Sequence, residues 1–374
     1  MRRVEFRPSR GLEELLADAN RSTPFATLMR TFAFVAIVGS VAIGFATERA
    51  VAASGNCKLV RIAEWPVQID RNRITVQGAV NGQPIGILLD TGAGKSLIQR
   101  SAAARLGLTR QPATGHRMFG VGGETQAEVA YVDELRIGEA VSRGLSILVA
   151  GEREVWDNIA LLLGADFFEN FDIEFDLPHN AVRLYQSRDC DGVRLAYWGG
   201  EGAMESPMES GSRIVLPVKI NGEPIRAMLD SGAATSVLAA DDARRLGVTP
   251  DTPGVVPGGC RYGLGQKPVG AWIGQFRSFA IDNELIRDPK MYFADLWRHT
   301  TYTASGSHLP RRLADLPDML LGADFLRAHR VLIAHSQRKV YFTYTGGAVF
   351  PTRQAKPCGE TAPDERTGKG RGKD

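Results

Sequence analysis

One feature constrains this chain before any other: it contains its own copy. Asn81-Gly82-Gln83-Pro84-Ile85-Gly86-Ile87-Leu88-Leu89-Asp90-Thr91-Gly92-Ala93 returns as Asn221-Gly222-Glu223-Pro224-Ile225-Arg226-Ala227-Met228-Leu229-Asp230-Ser231-Gly232-Ala233. The offset is 230 − 90 = 140, and it holds through Ala103–Gly107 against Ala243–Gly247. A second block, Leu162-Leu163-Gly164-Ala165-Asp166-Phe167, matches Leu320-Leu321-Gly322-Ala323-Asp324-Phe325 at an offset of 158. Two collinear blocks make the chain a duplicated domain.

Each copy reads as a run of short strands. Ile74–Val80 roughly alternates apolar and polar residues, and Ile214–Ile220 is a β-branched-rich apolar run. Asn81-Gly82 and Asn221-Gly222 signal tight hairpin turns, whose central residues need positive φ. Second strands, Ile85–Leu89 and Ile225–Leu229, lead to an Asp in each copy. Short helices are expected at Ser101–Leu106 and Ala240–Leu246, closed by Gly107 and Gly247. Strands Phe171–Phe175 and Ala181–Tyr185 flank a Leu-Pro-His-Asn turn. Glycine, at 41 residues, suits such a turn-rich β architecture.

The organisation that follows is a first lobe over 57–186, a linker over 187–212 rich in Gly, Ser and Glu, and a second lobe over 213–350. The second lobe carries an insertion read at 282–317, with Tyr292, Phe293 and Trp297 as its aromatics. A polar tail over 352–374 is expected to be disordered. At the other end, Thr31–Thr47 is uncharged, Arg30 precedes it, and small residues at 50–53 offer cleavage sites. That is the layout of a signal peptide over 1–53, with Met29 a possible true start; an uncleaved anchor to the inner membrane is the rival reading. Either reading exports the chain to the periplasm or beyond.

Export fits the four cysteines, Cys57, Cys190, Cys260 and Cys358, none in a C-x-x-C pair. Two disulfides allow three pairings, and four buried thiols are the alternative. Because Cys57 and Cys190 bracket the first copy while Cys260 and Cys358 lie in the second, one bridge per lobe is the favoured arrangement.

The chemistry lies in Asp90 and Asp230. Each ends an apolar strand and precedes a hydroxyl residue and a glycine, whose N–H can approach closely. If the copies meet about a two-fold axis, two carboxyls a few Å apart share one proton, giving a base for water and an acid for a carbonyl. Other chemistries lack their motifs. There is no H-E-x-x-H, no G-x-S-x-G, no complete G-x-G-x-x-G, and a formal net charge of +3 leaves no footprint for nucleic acid. Asp166 and Asp324, also repeated, read as caps of the helix that follows each. Lys95, near Asp90 where the second copy has Thr235, reads as solvated.

The chain here resembles the retropepsin-like aspartic proteases. Asp90-Thr91-Gly92-Ala93 and Asp230-Ser231-Gly232-Ala233 are similar to that family's catalytic signature, and Leu162-Leu163-Gly164 and Leu320-Leu321-Gly322 to its second. Phe119–Gly123 and Tyr262–Gln266 stand where the family has its flaps. The resemblance implies a mainly β fold of two closed-barrel lobes related by a pseudo-two-fold axis, with the Leu-Leu-Gly strand threading beside the catalytic loop. It implies an endopeptidase in which Asp90 and Asp230 activate water on a peptide or protein substrate, with no metal or other cofactor. Thr91, Gly92, Ser231 and Gly232 would support the catalytic loops; Gly120, Gly122, Gly263 and Gly265 would serve the flaps. Retropepsins usually form two lobes by homodimerisation. Here one chain supplies both, so a monomer is expected. A homodimer pairing lobes between chains and a catalytically silent peptide-binding module are the alternatives.

Overall fold

The computed structural model describes residues 51–52, 56–151, 158–199, 202–303, 310–312 and 315–359. The leader read at 1–53, apart from residues 51–52, lies outside them, as does 360–374. Among the described residues no helix is long and apolar enough to cross a membrane.

The repeated hairpins fold as their sequence dictates. Arg73–Val80 pairs antiparallel with Gln83–Leu89, and Val215–Ile220 with Glu223–Leu229. Asn81 and Asn221 adopt φ of 48° and 55° at the turns, the left-handed region that asparagine tolerates best after glycine. Their side chains also work: Asn81 Oδ1 accepts the Glu134 N–H, and Asn221 Oδ1 accepts those of Arg277 and Ser278. Each hairpin turn is thereby tied to the next strand of its own barrel. Ile159–Leu163 then inserts parallel to Gln83–Leu89 and antiparallel to Leu97–Gln99; Met319–Leu321 repeats this between Glu223–Leu229 and Val237–Ala239. The helices Arg100–Arg105 and Ala240–Arg245 end before Gly107 and Gly247, both at positive φ.

In the first lobe the long strand Gly123–Ile137 pairs with Arg110–Gly120, Ala140–Ala150 and Arg73–Val80, closing the sheet. In the second the corresponding strand is broken at Phe276, so Val269–Gln275 and Ser278–Ile281 share its duties. The two lobes are thus homologous mainly β barrels. Ile87, Leu89, Leu161 and Leu163 of the first lobe, and Ile225, Leu229, Met319 and Leu321 of the second, are buried in one continuous core.

A third sheet joins the lobes, and the repeat alone did not announce it. Its strands run in the order Val51–Ala52, Lys58–Pro66, Ala181–Arg188, Asp172–Asp176, His329–Ala334, Lys339–Tyr344, Met204–Pro207. At its centre Glu174 pairs with Leu332, its own copy at the 158 offset, so the pseudo-two-fold axis passes between them. Glu174 is fully buried; it accepts hydrogen bonds from the Tyr185 and Tyr197 hydroxyls, and Arg330 pairs with it.

The segment read as a linker is therefore mostly packed. Leu195, Ala196 and Ala203 are buried, and Met204–Pro207 forms the edge of the shared sheet. The extra chain of the second lobe also begins later than the sequence reading placed it. Glu284–Arg287 and Lys290–Ala294 replace the first lobe's Ala140–Ala150, and Tyr292 and Phe293 are core residues of that strand. The added segment runs from Asp295 to Asp318. Both bridges form one per half, Cys57 to Cys190 and Cys260 to Cys358. They mark an oxidising, exported environment. The second bridge corrects the tail: Pro351–Gly359 is ordered, because Cys358 is bonded to Cys260 and Ala355 N–H donates to Pro257 O.

Candidate active site

Asp90 and Asp230 follow the strands that end at Leu89 and Leu229. The inserted strand steers both, since Asp90 N–H donates to Leu163 O and Asp230 N–H to Leu321 O, each at 2.9 Å. The chain then turns back on its own carboxylate. Asp90 Oδ1 accepts N–H groups from Gly92 at 3.1 Å and Ala93 at 2.9 Å; Asp230 Oδ1 accepts those of Gly232 at 3.0 Å and Ala233 at 3.1 Å.

The two loops hold each other reciprocally. Thr91 Oγ1 donates to Leu229 O at 2.8 Å and accepts the Ser231 N–H at 3.0 Å. Ser231 Oγ donates to Leu89 O at 2.7 Å and accepts the Thr91 N–H at 3.0 Å. Both hydroxyl residues are buried, so these bonds form away from competing water. Each glycine is required by the opposite carboxyl. A Cβ on Gly92 would lie 2.4 Å from Asp230 Cγ, and one on Gly232 would lie 2.3 Å from Asp90 Cγ.

The carboxyls of Asp90 and Asp230 each abut the other's loop, so the charge on one opposes ionisation of the other. Burial, then the charge of Asp230, holds Asp90 well above the usual carboxylate range. Burial also raises Asp230, against the stabilising N–H groups of Ala233 and Gly232. The pair titrates as one unit.

Beneath the loops lies a layer whose role sequence reasoning captured only in part. Gly164 and Gly322 occupy the N-cap positions; Asp324 Oδ1 does accept the Phe325 N–H of its helix at 2.9 Å, but Asp166 accepts no N–H of its own helix among the described residues. Instead Asp166 Oδ1 accepts the N–H and hydroxyl of Ser96, and Ser96 Oγ accepts the Gly164 N–H. Asp324 and Ser236 repeat this with Gly322. The Leu-Leu-Gly strand is thus clamped to the catalytic loop, and a Cβ on Gly164 or Gly322 would meet loop backbone at 2.7 and 2.6 Å. The signal was available, since Ser96 and Ser236 also obey the 140 offset. Burial raises Asp324 to about 6. Lys95 is exposed.

Above the carboxyls the predicted flap glycines meet each other. The first flap is the hairpin of Arg110–Gly120 and Gly123–Ile137; the second joins Val256–Arg261 to Val269–Gln275. Gly265 N–H donates to Val121 O and Lys267 N–H to Gly122 O, both at 3.1 Å. Gly122 has φ +87°, and a Cβ on Gly265 would lie 2.1 Å from Gly122 C, so the tips touch only because both are glycine. Gly120 packs on Leu264, and Gly263 on Val121. Each tip crosses the axis: Val121 packs with Met228, Leu320 and Ala233, while Leu264 packs with Leu88, Leu97 and Leu162.

A family model described as aspartyl protease matches residues 76–167 and 216–325, both copies of the repeat. The chain belongs to the aspartyl protease family. Each matched segment of this aspartyl protease family member contains one Asp-Thr-Gly or Asp-Ser-Gly loop and one Leu-Leu-Gly strand. Among solved structures, the chain is similar to a retropepsin-like aspartic protease from Rickettsia conorii, at 19% identity and a TM-score of 0.25, covering 35% of this chain and 95% of that one. No curated protein matches.

Proposed function

We propose that the chain is an aspartic endopeptidase that hydrolyses peptide bonds with water activated between Asp90 and Asp230. The observation that carries this reading is the pair of buried carboxyls brought together between the lobes, each member cradled by two N–H groups and braced by the opposite loop. The ionised carboxyl takes a proton from water as the water attacks the peptide carbonyl. The protonated carboxyl donates to the carbonyl oxygen, and the proton passes on to the leaving amine. The N–H groups of residues 92, 93, 232 and 233 stabilise the ionised state without moving. No role is fixed to either Asp.

Flap closure excludes water and holds an extended substrate against the floor. Because the tips already bond to one another, a peptide enters only after the Gly265–Val121 and Lys267–Gly122 bonds part. The braces lie within one chain, which supports a monomer as the active unit over lobes paired between chains. The two disulfides and the apolar leader together support secretion to the periplasm or the extracellular space.

The deciding experiment is cleavage of an unfolded protein from acidic to neutral pH, with Asp90→Asn and Asp230→Asn as controls. Activity blocked by a statine-type inhibitor and lost in both variants is expected. Undiminished turnover in either variant rejects a shared proton. Peptide binding without any cleavage by the unaltered chain selects the silent binding module instead.

A further inference from the structure

The walls of the cleft differ at one pair of corresponding positions. Met118 faces Thr125 across the first flap, three residues before the tip Val121; Arg261 faces Val269 across the second, three residues before the tip Leu264. Met118 packs into a wholly aliphatic cluster with Leu88, Leu97, Leu148 and Leu162. The corresponding cluster of the second lobe holds Met228, Val237, Tyr292 and Leu320, and the Arg261 guanidinium carbon lies 4.0 Å from the centre of the Tyr292 ring. Met228 stands two residues before Asp230, as Leu88 stands before Asp90.

Arg261 is a cation without an anion. Its NH1 donates to Gly258 O at 3.2 Å and Cys260 O at 3.3 Å, and its buried Nε has no hydrogen-bond partner. Among the described residues no carboxylate forms an ion pair with it. Asp324, the acid whose charge reaches it, is committed to Ser236. The group cannot turn away easily. Tyr292, beneath it, is fixed by its hydroxyl, which donates to Arg353 O and accepts the Arg353 N–H. The Arg261 NH2, unlike the Nε, is not buried and makes no hydrogen bond among the described residues, so the half-buried guanidinium presents a charged donor to a carboxylate.

We infer that Arg261 is a specificity-determining residue that binds an acidic substrate side chain on the second-lobe side of the scissile bond, while the Met118 side takes an apolar one. This rests on the proteolytic reading above. The aliphatic wall offers no polar partner, so an acidic residue there would be desolvated without compensation. On the Tyr292 side the same carboxylate completes the bonds that Arg261 lacks.

The test uses the full exported chain and C-terminally amidated peptides, so that only a side chain can supply the carboxylate. Peptides differing by Glu or Gln on either side of an apolar residue are compared for kcat/KM. The unaltered protein is expected to prefer Glu on one side by about tenfold or more, the loss of a charge-assisted hydrogen bond. Arg261→Met should abolish that preference while leaving cleavage of the Gln peptide within about threefold, and Arg261→Lys should keep part of it. Equal rates for Glu and Gln peptides at every position, or a preference that survives Arg261→Met in protein that melts normally, overturns the inference. If no peptide is cleaved at all, the proteolytic reading fails first. Calorimetric binding of the same Glu and Gln peptides to the unaltered chain and to Arg261→Met then decides the role of Arg261, and equal affinities reject it.

Discussion

The two lobes share a plan but differ with distance from the axis. At the axis, corresponding residues do the same work: Thr91 and Ser231 exchange the same bonds, and each glycine fits the other lobe's carboxyl. Away from it the copies part. Asp324 is fully buried where Asp166 is half-buried. The second flap is stapled through its first strand to the C-terminal segment by Cys260–Cys358, whereas the first flap has no disulfide. The added segment from Asp295 brings Leu296 and Trp297 to the cluster on which the tip residue Val121 also packs, and His299 against Gly123. Reciprocal contact explains the contrast: a change in one catalytic loop strains its copy, while a change at the periphery strains only its own lobe.

The strongest way to break this equivalence is at the carboxyls. Asp90→Asn and Asp230→Asn should each reduce kcat by about a thousandfold or more, to a similar extent, because one carboxyl cannot be both acid and base. Steady-state kinetics with one substrate checks this, and a large difference between the two would show that the lobes are not interchangeable at the axis. Next comes the staple. The double variant Cys260→Ser with Cys358→Ser should lose about 2–4 kcal/mol of stability. Hydrogen exchange should then rise in Val256–Gln275 but not in Arg110–Ile137; equal loosening of both flaps would contradict a restraint specific to the second.

The buried acids sharpen the comparison further. Asp324→Ala should cost about 2–3 kcal/mol and Asp166→Ala about 1, since the deeper site strands Ser236 without access to water. Asp324 also has a pH signature. Its folded pKa of about 6 lies above the ordinary 3.8, so folding is favoured while it is protonated. That contribution is full below about 3.8 and lost as pH rises through about 6. Denaturant titrations across this window should show a shallower slope in Asp324→Asn than in the unaltered protein, the remainder belonging to Asp90 and Asp230, which are raised as well. The smallest effect is at the tips. Leu264→Ala removes about 1 kcal/mol of packing on the first-lobe wall, and exchange of the Gly265 and Lys267 N–H groups should quicken about fivefold.

Much of the site was legible because the duplication printed it twice. A lone Asp-Thr-Gly has many readings; two in matching context, each followed by a Leu-Leu-Gly strand, have few. The misreadings share a cause. Asp166 and Asp324 were assigned only to the following helices; Asp324 does accept the Phe325 N–H there, but a serine 70 and 88 residues earlier in the chain holds each acid to its loop. Residues 352–359 looked free because their composition is polar, yet the bond from Cys358 to Cys260 ties them to the second lobe. Tyr292 and Phe293 were read as inserted because the extra residues fall in two places, and sequence spacing reports only their sum.

The amino-acid order by itself determined the repeated barrels, the Asn-Gly turns and the two acidic loops, while it only favoured one disulfide per half. All are signalled within a few residues or by direct self-comparison. Only the tertiary structure decided that Glu174 meets its own copy in a sheet shared by both lobes, that the flap tips bond across the axis, and that Arg261 stands where the first lobe has Met118. Those outcomes depend on which distant surfaces exclude water together, and nothing in local periodicity records that choice.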